Sequence, residues 1–171
     1  MTPYALTTLN HAEPSAFRDA LGDIFEHAPW VAEAVASERP FRDIDALHQA
    51  MVAVVAAASL ERKLELIRAH PDLAGKAARA GTLTESSTRE QAGAGLDQLS
   101  DDEYERFQRL NEAYKDRFEF PFILAVKGHT KQSVLGAFET RLDNSYDQEI
   151  DRALHEIAKI ARFRLEDRVT H

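Results

Sequence analysis

Apolar residues recur at three- and four-residue intervals along almost the whole chain, the spacing that one face of an α-helix presents. Phe17, Leu21, Ile24 and Phe25 form one such stripe, which runs out at His27 to Pro29. A short helix is expected from Pro29 towards Ser37. Asp43 can cap the next, whose Leu47, Met51, Val54, Val55 and Ala58 make a face broad enough for a heavily buried helix. Ser59 opens another, with Leu60, Leu64 and Ile67, and it stops at His70 because Pro71 disfavours the α region for the residue before it. Asp72 can cap a short element closed by Gly81. Two Ser-x-x-Glu patterns, Ser87 to Glu90 and Ser100 to Glu103, predict capping boxes. The second starts a long helix with Tyr104, Phe107, Leu110, Tyr114 and Phe118 on one side. Val134, Leu135, Phe138 and Leu142 mark a further helix. A final one runs from Asn144 or Ser145 through Ile150, Leu154, Ile157, Ile160 and Leu165, with Glu149 beside Arg152 and Glu156 beside Lys159 on its flanks. One apolar stretch breaks the pattern: "FEFPFILAVKG", Phe118 to Gly128, is interrupted by Pro121 and reads as a buried extended segment or tight connection. The expected fold is all-α, a single-domain bundle of about eight or nine helices over residues 1–171.

A chain of 171 residues can bury a core of its own, and 44% hydrophobic against 29% charged residues places it among sequences that fold. The net charge of −8 argues against a nucleic-acid partner, since phosphate binding needs clustered Lys and Arg that outnumber nearby acids. The absence of cysteine excludes disulfides, thiolate metal sites and cysteine nucleophiles, and favours an intracellular location. The opening "MTPYALTTLNHAEPS" has no secretory or transit pattern, and the closing "VTH" is not a peroxisomal address. The longest apolar run, Ala50 to Ala58, is too short for a membrane span, which needs about 20 residues. A cytoplasmic protein with no membrane or nucleic-acid partner is expected.

Familiar chemical motifs fail one by one. "HEIAK" at His155 has Lys159 where a zinc protease needs its second histidine, and reads as a solvated helix face. "GAGLDQ" lacks the third glycine of a dinucleotide loop and follows no strand. No phosphate loop or nucleophile elbow is present. None of the seven histidines lies three or four residues from another, so local spacing supplies no metal site. His70 stands out instead. A His-Pro junction holds the imidazole outside helical geometry, where it can donate or accept a proton near neutral pH. Taken alone, His70 is better read as a loop residue bonded to a nearby carbonyl, and a capping box accounts for Ser87 and Glu90.

"HPDLAGK" (His70 to Lys76), "SSTREQAGAGLDQL" (Ser86 to Leu99), "LNEAYKDRFEFPFILAVKG" (Leu110 to Gly128) and "RLDNSYDQEIDRALHEIAKIARFRL" (Arg141 to Leu165) occur in order. Together they resemble the signatures of the 2-oxo-4-hydroxy-4-carboxy-5-ureidoimidazoline (OHCU) decarboxylases of urate breakdown. The resemblance extends from about Leu9 to Arg168, and its one noted departure is Glu119, where the family has glycine before Phe-Pro-Phe-Ile.

That resemblance implies an all-helical homodimer converting OHCU to (S)-allantoin and carbon dioxide with no metal or organic cofactor. The absence of a cofactor is chemically reasonable, because the electron pair released with carbon dioxide can flow into the substrate's own ring carbon–nitrogen double bond. The resemblance assigns proton donation to His70, presented by Pro71, and a hydrogen bond to the imidazole or to the ureido N–H groups to Glu90. Ser87 and Gln91 are implied to bind polar substrate edges, Phe122, Ile123, Leu124, Ala125 and Val126 to form an apolar wall with backbone contacts, and Arg164 to face the anionic substrate. Arg162 is the fallback, on another helical face. Two competing readings are a decarboxylase or hydrolase of another small ureido or imidazoline acid, and a non-catalytic helical interaction module.

Overall fold

The computed structural model describes residues 3–75, 78 and 80–170. Among these are nine α-helices: α1 (Leu6–His11), α2 (Pro14–Leu21), α3 (Pro29–Val35), α4 (Ile44–Ala56), α5 (Leu60–Arg68), α6 (Glu85–Gly93), α7 (Asp101–Phe118), α8 (Lys131–Arg141) and α9 (Tyr146–Arg168). The mostly-α class is as the periodicity predicts. The only β structure among the described residues is a two-residue parallel pair, β1 (Tyr4–Ala5) with β2 (Val169–Thr170), in the register Tyr4 to Val169. Of the short helix expected between Asp72 and Gly81, residues 76, 77 and 79 lie outside the described residues; Leu73 and Ala74 form a turn, not a helix, Ala78 and Ala80 are helical, and Gly81 has the left-handed φ of 72° that suits a residue ending a helix.

Several predicted caps are made as expected. Asp43 accepts from the Ala46 amide at 2.8 Å and Ser59 from the Arg62 amide at 3.2 Å. Ser100 and Glu103 form a reciprocal box. Helix α9 starts on a box that the sequence reading passes over, in which Ser145 and Gln148 each receive the other's backbone N–H.

Three expectations need correction. Ser87 does not cap α6: the helix starts earlier, on Thr84, whose hydroxyl accepts from the Ser87 amide at 3.2 Å. The stripe from Phe17 to Phe25 is not one continuous helix, because α2 closes at Leu21 and the Asp23 and Ile24 carbonyls turn to the Arg164 guanidinium. The "HEIAK" stretch and the flank of α9 are not simply solvated, since Glu149 and Glu156 are both buried.

The chain divides into two compact units, one comprising residues up to Ala69 together with Ala158 onward, the other His70–Ile157. In the first, α3 lies against α2 and α4, and Phe17, Leu21, Ile24, Val35, Leu47 and Met51 are buried. Arg39 ties the first helices together by donating through Nη1 to the Leu9 and Ala12 carbonyls. Arg168 grips Asp23 through both guanidinium ends, at 2.7 and 3.1 Å. Burial alone would push the Asp23 carboxyl up, but the hydrogen bonds and charge of Arg168 outweigh it and hold the group below its ordinary range. A carboxyl that ionises more readily in the folded state adds stability above its unfolded pKa, about 3.9, and loses it as pH falls through the folded value. Asp23→Asn is therefore expected to lower the melting temperature at neutral pH, with the gap from wild type closing below about pH 4. A gap that persists unchanged in acid would show that the pair contributes nothing through its charge.

The second unit has an aromatic core. Phe122 stacks on Phe138 with centroids 3.8 Å apart, and Tyr114 meets Phe122 edge-on at 5.3 Å. Phe107, Phe118 and Phe120 complete it, supplied by α7 and by the segment that follows it. Glu119 turns the chain between them with a left-handed φ of 61°, the conformation that explains glycine's suitability at this position.

Candidate active site

His70 lies beyond the last turn of α5, where the Ala69 amide closes on the Glu65 carbonyl at 3.0 Å and the proline-linked backbone departs from the helix. The residue is only 8% exposed. The chain just after Pro71 is held by side chains from two helices. Gln91 of α6 accepts from the Ala74 amide at 2.8 Å and donates to the Asp72 carbonyl at 3.3 Å. From α7, Asn111 donates to the Leu73 carbonyl at 2.9 Å, Gln108 to the Ala74 carbonyl at 3.1 Å, and Lys115 to the Asp72 carboxylate at 2.7 Å. This lacing holds Ala74 at a left-handed φ of 53°, a conformation that a residue with a Cβ keeps only when its surroundings impose it.

Because α6 begins on Thr84, Ser87, Glu90 and Gln91 lie within the helix at positions i, i+3 and i+4 and share one face. Gln91 binds that face to the turn following His70 and Pro71. Ser87 and Gln91 are buried and Glu90 is half-buried. The capping explanation for Ser87 and Glu90 therefore no longer applies. The two bonds made by Gln91 also leave one of its amide N–H groups unused by that turn.

Phe122–Val126 is buried throughout and belongs to neither helix nor strand. Tyr114, one turn along α7 from Asn111, packs on Phe122, so a single helix face supports both the turn after His70 and this segment. Among the described residues, hydrogen bonds reach three backbone groups of Phe122–Val126. Arg141 donates to the Ile123 carbonyl, the Ala125 amide donates to Glu156, and the His129 amide donates to the Val126 carbonyl.

Arg164 belongs to the first unit. Its guanidinium is 2.8 Å from the buried Glu26 carboxylate and donates to the Asp23 and Ile24 carbonyls. The fallback, Arg162, is paired with Asp45 and Glu166 at a partly exposed position, so of the two it is Arg164 that is drawn into the interior. No group of three or more His, Cys, Asp or Glu among the described residues is arranged to hold a metal ion, and no described helix is long and apolar enough to cross a membrane.

Sequence reasoning missed Asn111, Arg141, Glu149 and Glu156. One signal was available for the two acids: they are seven residues apart and border the stripe of Ile150, Ala153 and Ile157, so one helix face carries both. Nothing local marked Asn111 or Arg141.

Comparison with known proteins gives a consistent result. Residues 10–166 match the profile of the family described as OHCU decarboxylase. A 2-oxo-4-hydroxy-4-carboxy-5-ureidoimidazoline decarboxylase of Halalkalicoccus jeotgali is 46% identical over 167 residues, covering 98% of this chain and 93% of the relative. The uric acid degradation bifunctional protein PucL of Bacillus subtilis is 47% identical, over 98% of this chain but only 33% of the longer protein. A crystal structure of (S)-allantoin synthase superposes with a TM-score of 0.79 at 35% identity, covering 98% of this chain, which spans about half (54%) of that structure.

Proposed function

The chain belongs to the OHCU decarboxylase family, and from that premise we propose that it decarboxylates OHCU to (S)-allantoin and carbon dioxide in urate breakdown. The observation that carries this reading at the level of the site is His70, buried outside helical geometry and followed by a turn bonded to the helix that bears Ser87, Glu90 and Gln91.

The chemistry asks little of the protein beyond placement. The bond from the ring carbon to the carboxylate breaks, carbon dioxide leaves, and the electron pair is taken up through the adjacent carbon–nitrogen double bond, whose nitrogen gains a proton. A proton then reaches one face of the ureido-bearing carbon of the planar enol intermediate and sets the allantoin stereocentre, while the hydroxyl on the decarboxylated carbon gives up its own proton and becomes the carbonyl. His70 is the donor in this reading, with Pro71 directing it. Glu90 orients the imidazole or binds the ureido N–H groups, and Ser87 and the remaining Gln91 N–H bind polar edges. Phe122, Ile123, Leu124, Ala125 and Val126 form the wall on the ring; the Leu124 amide and carbonyl, which no hydrogen bond among the described residues reaches, suit a planar, amide-rich ligand. Arg164 is assigned to the substrate's anionic group, with Glu26 fixing the guanidinium.

We also assign a homodimer, to be checked by light scattering, and a cytoplasmic location, which the cysteine-free sequence favours. Residues 1–171 are taken as one functional domain, because the family match runs through both compact units.

The direct test generates OHCU freshly from urate with uricase and hydroxyisourate hydrolase, adds the protein, and follows absorbance and circular dichroism. Rapid formation of a single allantoin enantiomer is expected, and it is expected to withstand a chelator. Decay no faster than the spontaneous rate would sink the reading, and inactivation by the chelator would overturn its metal-free chemistry.

A further inference from the structure

We propose that Arg141 and Glu156 are positioning residues for this reaction, gripping the Ile123–Ala125 backbone so that Phe122–Val126 meets the substrate in one fixed form. The inference rests on the reading of that segment as the wall of the substrate site.

A buried chain in neither a helix nor a ladder must find partners for its backbone groups elsewhere. Here two of the partners are charged side chains from different helices. Arg141, in the last turn of α8, donates through Nη1 to the Ile123 carbonyl at 2.5 Å, and its guanidinium carbon lies 4.3 Å from the centre of the Phe122 ring. Glu156 of α9, 1% exposed, accepts from the Ala125 amide at 3.1 Å through Oε1, while its Oε2 lies 3.0 Å from Arg152. The two groups pin the Ile123 carbonyl and the Ala125 amide, while no hydrogen bond among the described residues reaches the amide or carbonyl of Leu124 between them.

The grip is itself braced. Glu149 accepts from Arg141 Nε at 2.9 Å, from the Tyr114 hydroxyl at 2.6 Å and from Asn144 at 2.9 Å, so the guanidinium that reaches Ile123 has little freedom to move. Charge-assisted bonds to backbone are stronger and more directional than neutral ones. A site that must present a planar intermediate to a proton donor from one side gains from such rigidity, because a displacement of about 1 Å can cost on the order of a hundredfold in rate. A residue that merely stabilised the fold would have no bearing on the handedness of the product.

The test measures kcat, KM and the enantiomeric purity of allantoin for wild type, Glu156→Ala, Glu156→Gln and Arg141→Lys, with circular dichroism and melting curves establishing the folded fraction. Glu156→Ala leaves no acceptor for the Ala125 amide, while Glu156→Gln keeps one. Lysine at 141 keeps the charge but cannot reach Glu149 and Ile123 together. For the folded enzyme, KM is expected to rise roughly tenfold in Glu156→Ala and Arg141→Lys. Product handedness should erode in both, and Glu156→Gln should return both measures close to wild type. Wild-type KM and purity in folded Glu156→Ala would overturn the proposal, even if Arg141→Lys fails to fold. A wild-type protein without OHCU turnover would overturn the functional reading and this role with it, which separates that failure from failure of the grip alone.

Discussion

His70→Ala is expected to lower OHCU turnover by about 10²–10⁴-fold, the usual contribution of a positioned proton donor, while helical content stays near wild type. His70 lies beyond the Ala69 C-cap of α5, whose closing bonds are made by backbone groups that the substitution leaves in place, so the expected loss is that of a proton donor and not of the helix. The surrounding turn is held independently by Gln91, Gln108 and Asn111 through its backbone, and these bonds survive the substitution. The loss should fall on kcat more than on KM, because proton delivery is realised in the transition state. Glu90→Ala, one residue from the Gln91 anchor, is expected to follow the same pattern. Full activity in either variant would remove the role given to that residue. A collapse of far-ultraviolet dichroism in His70→Ala would instead mean that the histidine supports the fold.

The largest effect on stability is expected from Glu149→Ala, at about 3–5 kcal/mol, a large share of the 5–15 kcal/mol typical of a whole domain. Glu149 is fully buried and receives three side chains from separate parts of the second unit: Tyr114 from α7, Arg141 from α8, and Asn144 from the turn before α9. Truncation leaves the Arg141 charge buried without its carboxylate and the Tyr114 hydroxyl without its acceptor. Burial, together with the Glu149 carboxylate, pushes the Tyr114 hydroxyl well above the ordinary phenol range, so it stays protonated and donating throughout the physiological range. The sign of a second comparison is also set by this geometry. Replacing both charged partners, Arg141→Met with Glu149→Leu, should cost less than Glu149→Ala alone, because no uncompensated charge remains. Urea denaturation of the three proteins decides it, and a double variant weaker than the single would show that the pair adds net stability beyond avoiding an isolated charge.

These two residues differ in how legible they are. His70 is marked by its neighbour: proline forces the backbone out of the helix wherever the chain goes next, and so the histidine's placement off the end of α5 follows from two letters. Glu149 carries no such mark, since on a helix an acidic residue three positions from an arginine reads as a surface pair. The aromatic segment Phe118 to Gly128 falls between these cases. Its apolar run and Pro121 announce burial without a helix, but which groups take up its backbone does not follow from them.

Periodicity, caps and punctuation by themselves determined the mostly-helical class, most helix starts and stops, and the separated motifs that assign the chain to its family, because each of these is a local property of a few neighbouring residues. Only the tertiary structure decided that Thr84 and not Ser87 starts α6, that Glu149 and Glu156 turn inward, that Arg141 reaches Ile123, and that Arg164 is held by Glu26. The physical reason is distance along the chain. Whether a charged side chain at the border of a helix face meets water or a buried partner depends on what another helix brings beside it, and Ile123 and Arg141 are eighteen residues apart, Ala125 and Glu156 thirty-one.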